Sequence, residues 1–467
     1  MLSPLVRLEI LKLMRDSRLV AVMAAFSGVL LLSGTVSWLN LREDAATKAQ
    51  VAAEERARWL GQGEKDPHSA AHYSIYAFRP ATALQAVDPG IVPFVGEAVW
   101  LEAHLQNDLL FRPQQDSNAF ERLGLVDPAG LFIRLGPLAV FLLAFAVAAR
   151  EREQGVLGLA LGTAPTRAGY FGAKLLSVIA VGIPILVAPL VLIGALSLTT
   201  VGGGADDAVR LVSWTLGAVT YIAILAAISM TACVASRSVQ TACAVLLFSW
   251  VVLVLAALPA ASAVASWRSP VPSFQQMKLV LADEAPAYWT PETGAEQIAS
   301  ILQRYGASRE EDLQETINIR GAQLDVAERH AQAVFDREIG RFYDRVQAQD
   351  AVYASLGWLS PAVAFDAISA AFAGTDFFHH RHFIDAAEQY RRGLVNRMNA
   401  DLIPNPAING REHTNDGTLW SDVPAFAYRP RHALSAARAV TPALIALACW
   451  LLGGAVIVRR TADRVQP

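Results

Sequence analysis

Six runs of about 20 apolar residues constrain this chain more than any other feature, because each can cross roughly 30 Å of hydrocarbon as a helix rising 1.5 Å per residue. They lie near 19–39, 131–149, 175–198, 209–234, 241–262 and 439–458. Inside a bilayer the chain itself must satisfy every backbone amide, so continuous apolar runs of this length read as helices. The expected architecture is an all-α polytopic membrane protein with six transmembrane helices and two mainly helical extracytoplasmic insertions, 40–130 and 263–438. Composition agrees: 54% of the 467 residues are hydrophobic and 17% are charged, more apolar than an ordinary soluble chain.

Orientation is read from Lys and Arg in the short segments, since long loops cross the membrane largely regardless of charge. With a cytoplasmic N-terminus, the inner segments hold Arg7, Lys12, Arg15 and Arg18, then Arg150, Arg152, Arg167 and Lys174, then Arg237, and finally Arg459, Arg460 and Arg464. The one short outer loop, "TTVGGGADDA" at 199–208, has none. Both termini, including the 459–467 tail, are therefore expected in the cytoplasm, with the chain in a bacterial inner membrane. The first run exceeds a secretory h-region and "LSGTVSWLN" is a poor cleavage site, so it reads as an uncleaved helix.

Cys233, Cys243 and Cys449 all fall in or beside the spans. The outer segments thus have no disulfide and must be held by packing. A net charge of -3 with no basic-aromatic patch argues against nucleic acid as a partner. In the second insertion, Leu324, Ala327, Ala331, Phe335, Ile339, Phe342 and Val346 recur at steps of three and four, one apolar stripe on a helix of roughly 30 residues. Ile298 to Ile319 is the candidate partner arm. "GWLSP" at 357–361 ends the long helix, and "PAVAFDAISAAFAG" is expected to lie against the membrane surface. Residues 1–18 read as an amphipathic interfacial helix, with Leu2, Val6, Ile10, Leu13 and Met14 sharing one face.

The segment "AREREQGVLGLALGTAPTR", 149–167, sits between two spans. Glu151 and Glu153 are costly in hydrocarbon and mark where the second span leaves the membrane. Gly155 then loosens the backbone, and Val156, Leu157, Leu159, Ala160 and Leu161 make an apolar piece too short to span and too apolar to float free. Such a piece needs a protein groove to cover it.

"EREQGVLGLALGTAPTRAGYFGAKLL" resembles the Glu-x-Glu-x-Gly segment and following Lys of ABC-2 type transporter permeases. "DPHSAAHYSIYAFRP" (66–80), "DPGIVPFVGEAVWLEAHLQND" (88–108) and "AGTDFFHHRHFIDAAEQYR" (373–391) resemble a subfamily with large extracytoplasmic loops and no settled function. The resemblance implies a permease subunit without cofactor of its own, working with a separate ABC ATPase that binds ATP and Mg, and paired with a second copy or a related permease. It also implies that the segment 150–174, with Glu151, Glu153, Gly155, Val156, Leu157, Leu159 and Arg167, forms a coupling helix seated in the ATPase. The chain supports this division of labour, because it contains no G-x-x-x-x-G-K-[ST] phosphate loop; "GYFGAKL" around Lys174 has neither the spacing nor the hydroxyl. Glu151, Glu153 and Arg167 are expected to fix the helix by charge-assisted hydrogen bonds, against the alternative of plain interfacial charges. Pro184 and Pro189 predict a static kink in the third span, with a hinge as the alternative.

His68 and His72 stand four apart, Glu102 and His104 two apart, and His379, His380 and His382 cluster in "FFHHRHF". This composition can hold zinc or copper, although adjacent His379 and His380 point in different directions from a helix, and the main expectation is structural polar contacts. Two other function classes stay open: a force-transducing scaffold driven by an ATPase and engaging a periplasmic partner, and a membrane-anchored metal-dependent enzyme. No H-E-x-x-H or G-x-S-x-G motif supports the enzyme.

Overall fold

The computed structural model describes residues 2–112, 127–149, 151, 154–164, 166–284, 291–408 and 411–464. A short helix α1 (Leu2–Arg15) precedes the long α2 (Ser17–Leu60), and α3 (Pro67–Ala71) leads into strands β1 (Ile75–Phe78), β2 (Ala98–Glu102) and β3 (Leu105–Leu110). Then come α4 (Pro128–Ala149), α5 (Leu157–Thr163), α6 (Arg167–Thr200), α7 (Ala205–Ala235) and α8 (Val239–Arg268). The polar half continues with α9 (Phe274–Glu284), α10 (Pro291–Tyr305), α11 (Ile319–Ser355), α12 (Pro361–Ala373), α13 (Phe377–Leu402) and α14 (Ala433–Ala439), and α15 (Thr441–Arg464) closes the chain. Six helices, α2, α4, α6, α7, α8 and α15, are long and apolar enough to cross a membrane. They match the six apolar runs, and α2 extends far beyond its run.

The 44 residues of α2 make a rod of about 66 Å, twice the hydrocarbon thickness. Its second half leaves the bundle and ends at Trp59, fully buried, whose Nε1 donates to the carbonyl of Trp420 at 3.0 Å. This contact shows why the two polar segments are not separate insertions. Trp59, Ala70, Ile75 and Leu101 from the first share one core with Phe383, Leu394, Met398 and Trp420 from the second. The first segment also carries a three-stranded antiparallel sheet in the order β1-β2-β3, so "mainly helical" understated it. Its strands are only four to six residues long, and β1 and β2 are almost wholly apolar, a signal too short to stand out beside helices of thirty.

The segment expected on the membrane surface is inside the bundle instead. Helix α12 is buried along nearly its whole length, and Phe365 stacks on Tyr221 of α7 at 5.2 Å while meeting Phe132 of α4 edge-on at 5.6 Å. The turn that joins it to α11 reaches mid-span: Trp450 Nε1 of α15 donates to the Gly357 carbonyl at 3.1 Å, and the Ser360 hydroxyl donates to the carbonyl of Leu253 in α8. Helix α11 therefore descends into the bundle, turns at 356–360, and α12 climbs back out as a re-entrant hairpin. The hairpin is tight enough that a Cβ on Gly357 would stand 2.8 Å from the Cβ of Ala364.

Irregular backbone at this depth is tolerated only when protein satisfies it. The start of α12 is capped by Ser360, whose Oγ accepts from Ala362 and Val363 at 3.1 and 3.4 Å. Its end is met by two buried arginines. Arg210 of α7 donates to the carbonyls of Ala371 and Phe372, and Arg79 to that of Gly374 at 2.8 Å, placing cations at the negative end of the helix. Pro184 lies in a widened turn, Ile183–Val187, with α6 continuing on both sides.

Phe365→Ala removes the ring shared by α4, α7 and α12 and is expected to cost about 3–5 kcal/mol through the cavity it leaves. Thermal unfolding of the full chain in detergent micelles reads the loss, and an exposed control, Leu279→Ala, leaves the midpoint unchanged.

Candidate functional site

Two clusters of chemistry-bearing side chains stand out, one at each end of the bundle. At the end where α1, α5 and the last turns of α15 meet, the linker from α4 delivers Glu151. Lys174, fully buried in the first turns of α6, places Nζ 2.8 Å from Glu151 Oε1 and 3.3 Å from Glu9 Oε1 of α1, and donates to the Val147 carbonyl at 2.5 Å. Lys12 adds a second cation, 2.9 Å from Glu9 and 3.4 Å from Glu151, and the Tyr170 hydroxyl donates to Glu151 at 2.5 Å. Burial works to raise the Glu151 carboxyl, but Lys174, Tyr170 and Lys12 outweigh it and hold the group below its ordinary range.

Above this network lies α5. Gly155 adopts φ +69°, open to glycine without strain, and turns the chain into the helix. Leu157 and Leu161 face the bundle and are buried; Leu159 is 74% exposed and Val156 42%. Between α5 and the exposed Leu8 of α1 runs an apolar groove of about 850 Å³, floored by Glu9, Lys12 and Glu151.

A short helix follows Gly155, close to where the sequence placed one. The Glu151 side chain bonds Lys174 and Tyr170 of α6 and Lys12 of α1, and its carbonyl accepts from Val156 N at 3.1 Å; Glu153 lies outside the described residues; Arg167 is an exposed first residue of α6. The residues missed are Glu9, 1% exposed, and Lys174. A signal existed for both: each is a charge on a face that is otherwise apolar at helical spacing. The buried side of α1 centres on Glu9 and Leu13, while Met14 points away, so α1 is a packed helix anchored by charge.

The second cluster sits in the polar body, at the seam between its two contributing segments. Asp66 caps α3 by accepting from Ser69 N at 2.9 Å, and Pro67 starts the helix, which places His68 and His72 on one face, one turn apart. The two-residue turn between β2 and β3 presents His104 at φ +66°. His72 Nε2 lies 3.1 Å from His68 Nε2, and His104 Nε2 lies 3.4 Å from the same atom. One ring nitrogen from each of the three falls within 4.8 Å of the others. Behind them, His68 Nδ1 is 2.9 Å from Asn399 Oδ1 of α13, and His104 Nδ1 is 3.2 Å from Glu328 Oε2 of α11.

Glu328 is itself held by Arg391 at 2.9 Å. Burial opposes its charge, yet His104 and Arg391 carry it down to about 2, so it is a carboxylate at neutral pH. Burial lowers His68 to about 4 and pushes His72 down as well, which keeps those two imidazoles neutral.

The remaining metal candidates are elsewhere. Glu102 accepts from Asn107 at 3.3 Å and acts on His72 through its charge, outside the set of three converging nitrogens. His379 bonds Asp376 at 2.5 Å and receives Arg210 at 3.2 Å; His382 meets the Tyr428 hydroxyl at 2.9 Å. These are the structural contacts expected of the "FFHHRHF" run. His380 is buried with Nδ1 unpartnered among the described residues.

Burial, aided by Arg79, lowers His380 from 6.5 to about 3. The unfolded chain therefore takes up the proton first, and stability falls as pH drops from 6.5 toward 3, by about 2 kcal/mol near pH 5. His380→Leu is expected to flatten that part of a melting-temperature profile between neutral and mildly acidic pH. A second outcome concerns Lys174→Met, which leaves Glu9 and Glu151 facing each other and is expected to cost about 3–5 kcal/mol. Adding Glu9→Gln to that variant restores part of the loss in the same unfolding assay.

Residues 289–429, spanning α11 to α13 and so the re-entrant hairpin together with Glu328, Arg391 and Asn399, match a family model described as a domain of unknown function, DUF3526. No curated protein and no solved structure matches the chain.

Proposed function

We propose that this chain is the membrane subunit of a two-component ATP-driven translocase of the ABC-2 permease kind, with α5 as the helix through which a separate ATPase acts on it. The observation that carries this reading is the amphipathy of α5 in place: Leu157 and Leu161 are seated against the bundle while Leu159, at the middle of the helix, is displayed to the outside beside an open apolar groove. An apolar side chain left this exposed at a polar boundary calls for a protein cover.

The connection from that surface to the spans is short and stiff. Movement of α5 passes through Gly155 to Glu151, and from there through Lys174 into α6 and through Glu9 into α1. A partner can shift a conformational equilibrium only by binding its states unequally, and a buried charge network is sensitive to small displacements because its energy depends steeply on contact. On this reading the α5 end is cytoplasmic and the polar body extracytoplasmic, in keeping with the Lys and Arg distribution.

The compartment assigned to cargo is a cavity of about 880 Å³ between α7, α8 and α15, lined by Ala227, Thr231, Ser236, Arg237, Gly453 and Gly454 and closed at mid-span by Trp358 of the re-entrant turn. Its mostly apolar wall with one arginine suits an amphipathic molecule.

The test is co-expression with candidate ABC ATPases from the same genome. The intact chain is expected to retain the ATPase through purification in detergent, and Leu159→Glu to lose it while keeping its own melting temperature. Accessibility of Leu159→Cys to a membrane-impermeant maleimide from the periplasmic side, or retention of the ATPase by Leu159→Glu, overturns the reading.

A further inference from the structure

Ring nitrogens of three histidines in the polar body converge on one point. Glu328 accepts from His104 Nδ1 at 3.2 Å and Asn399 Oδ1 from His68 Nδ1 at 2.9 Å, which turns Nε2 of both rings inward. His72 Nε2 and His104 Nε2 stand 3.1 and 3.4 Å from His68 Nε2, and one nitrogen from each of the three falls within 4.8 Å of the others.

A cation fits this convergence. Tetrahedral zinc with nitrogen ligands at about 2.0–2.1 Å sets neighbouring nitrogens about 3.3–3.4 Å apart, and the observed separations from His68 Nε2 are 3.1 and 3.4 Å. The outer bonds to Asn399 and Glu328 are the kind that fix tautomer and ring orientation behind a metal ligand. Backbone strain gathers at the same place, with Ser74 at φ 56° and His104 at φ 66°, as it does where a binding geometry is imposed. By contrast His379, His382 and His413 each send a ring nitrogen to a carboxylate or phenol, which leaves no converging set.

We propose that His68, His72 and His104 form a three-imidazole centre for a divalent zinc-class cation. His72 is exposed, so the fourth coordination position faces solvent and is available to water or to an incoming donor such as a carboxylate. The centre bridges the two segments of the body, since α3 and the β2–β3 turn supply the ligands while α11 and α13 supply the groups behind them. It does not depend on the coupling role of α5.

The experiment uses the full chain in detergent micelles, stripped with a chelator and titrated with cobalt(II) and then zinc(II). One cobalt per chain is expected, with the intense visible bands of four-coordinate cobalt, displaced by zinc. His72→Ala, which removes an exposed side chain, is expected to keep the metal-free melting temperature. It should lose affinity by more than the roughly 10- to 100-fold that removal of an outer partner costs. Zinc should raise the melting temperature of the intact chain and not of His72→Ala, and His413→Ala should behave as the intact chain does. Weak six-coordinate cobalt bands, or equal affinities for the intact chain and His72→Ala, would falsify the proposal.

Discussion

A turn of backbone at the middle of a helical bundle has no water to bond to, and the structure is organised around satisfying one. The hairpin of α11 and α12 carries its turn to the depth of Leu253 and Trp450, where it bonds to both neighbouring spans. Of these contacts the Gly357 carbonyl takes the Trp450 side chain, while the turn's own Ser360 hydroxyl reaches the Leu253 backbone; Ser360 caps one end of α12 and Arg79 and Arg210 the other. Remove these and α12 has unsatisfied backbone in an apolar setting, at a cost of several kcal/mol per group. Arg210 also reaches Asp206 and His379, so the cap on α12 is fastened at once to the start of α7 and to α13. The polar body and the bundle are joined here.

Widened helical turns recur where such joints are made. In α8 the stretch Val251–Ala256 contains the Leu253 carbonyl that accepts from Ser360, and in α4 the stretch Phe145–Ala149 contains the Val147 carbonyl that accepts from Lys174. A wider turn loosens the regular backbone ladder and frees an acceptor for a side chain from elsewhere. The re-entrant hairpin and the charge network beneath α5 are thus attached to the spans by the same device.

The two functional clusters differ in kind. At the α5 end, opposite charges compensate one another in a nearly dry setting, an arrangement whose energy is lost if one member is withdrawn. That makes it suited to transmitting a displacement. In the body, ring nitrogens of three histidines converge within 4.8 Å of one another, an arrangement suited to an added cation. Glu328 links this centre to Arg391 and through it to Glu388, so the His104 ring is oriented by a buried charge network.

Much of the architecture was legible in the sequence because it follows from local pattern. Apolar runs of span length, the 3.6-residue stripe of α11 and the short apolar piece after Gly155 need no knowledge of neighbours, and all became helices near the expected positions. What sequence left open depended on pairing at long separation. Composition alone makes "PAVAFDAISAAFAG" equally suited to a membrane surface or a bundle interior; Arg79, Arg210 and Ser360, far apart in the chain, decided for the interior by satisfying its ends. Lys174 looked like a failed phosphate loop until Glu9 and Glu151 came within reach of it. Seven residues were candidates for metal, and only the fold separated His68, His72 and His104 from the rest. Local periodicity reports which surface a helix wants to bury, whereas the partner of a buried charge or lone pair is set by which segments the tertiary structure brings within about 3 Å.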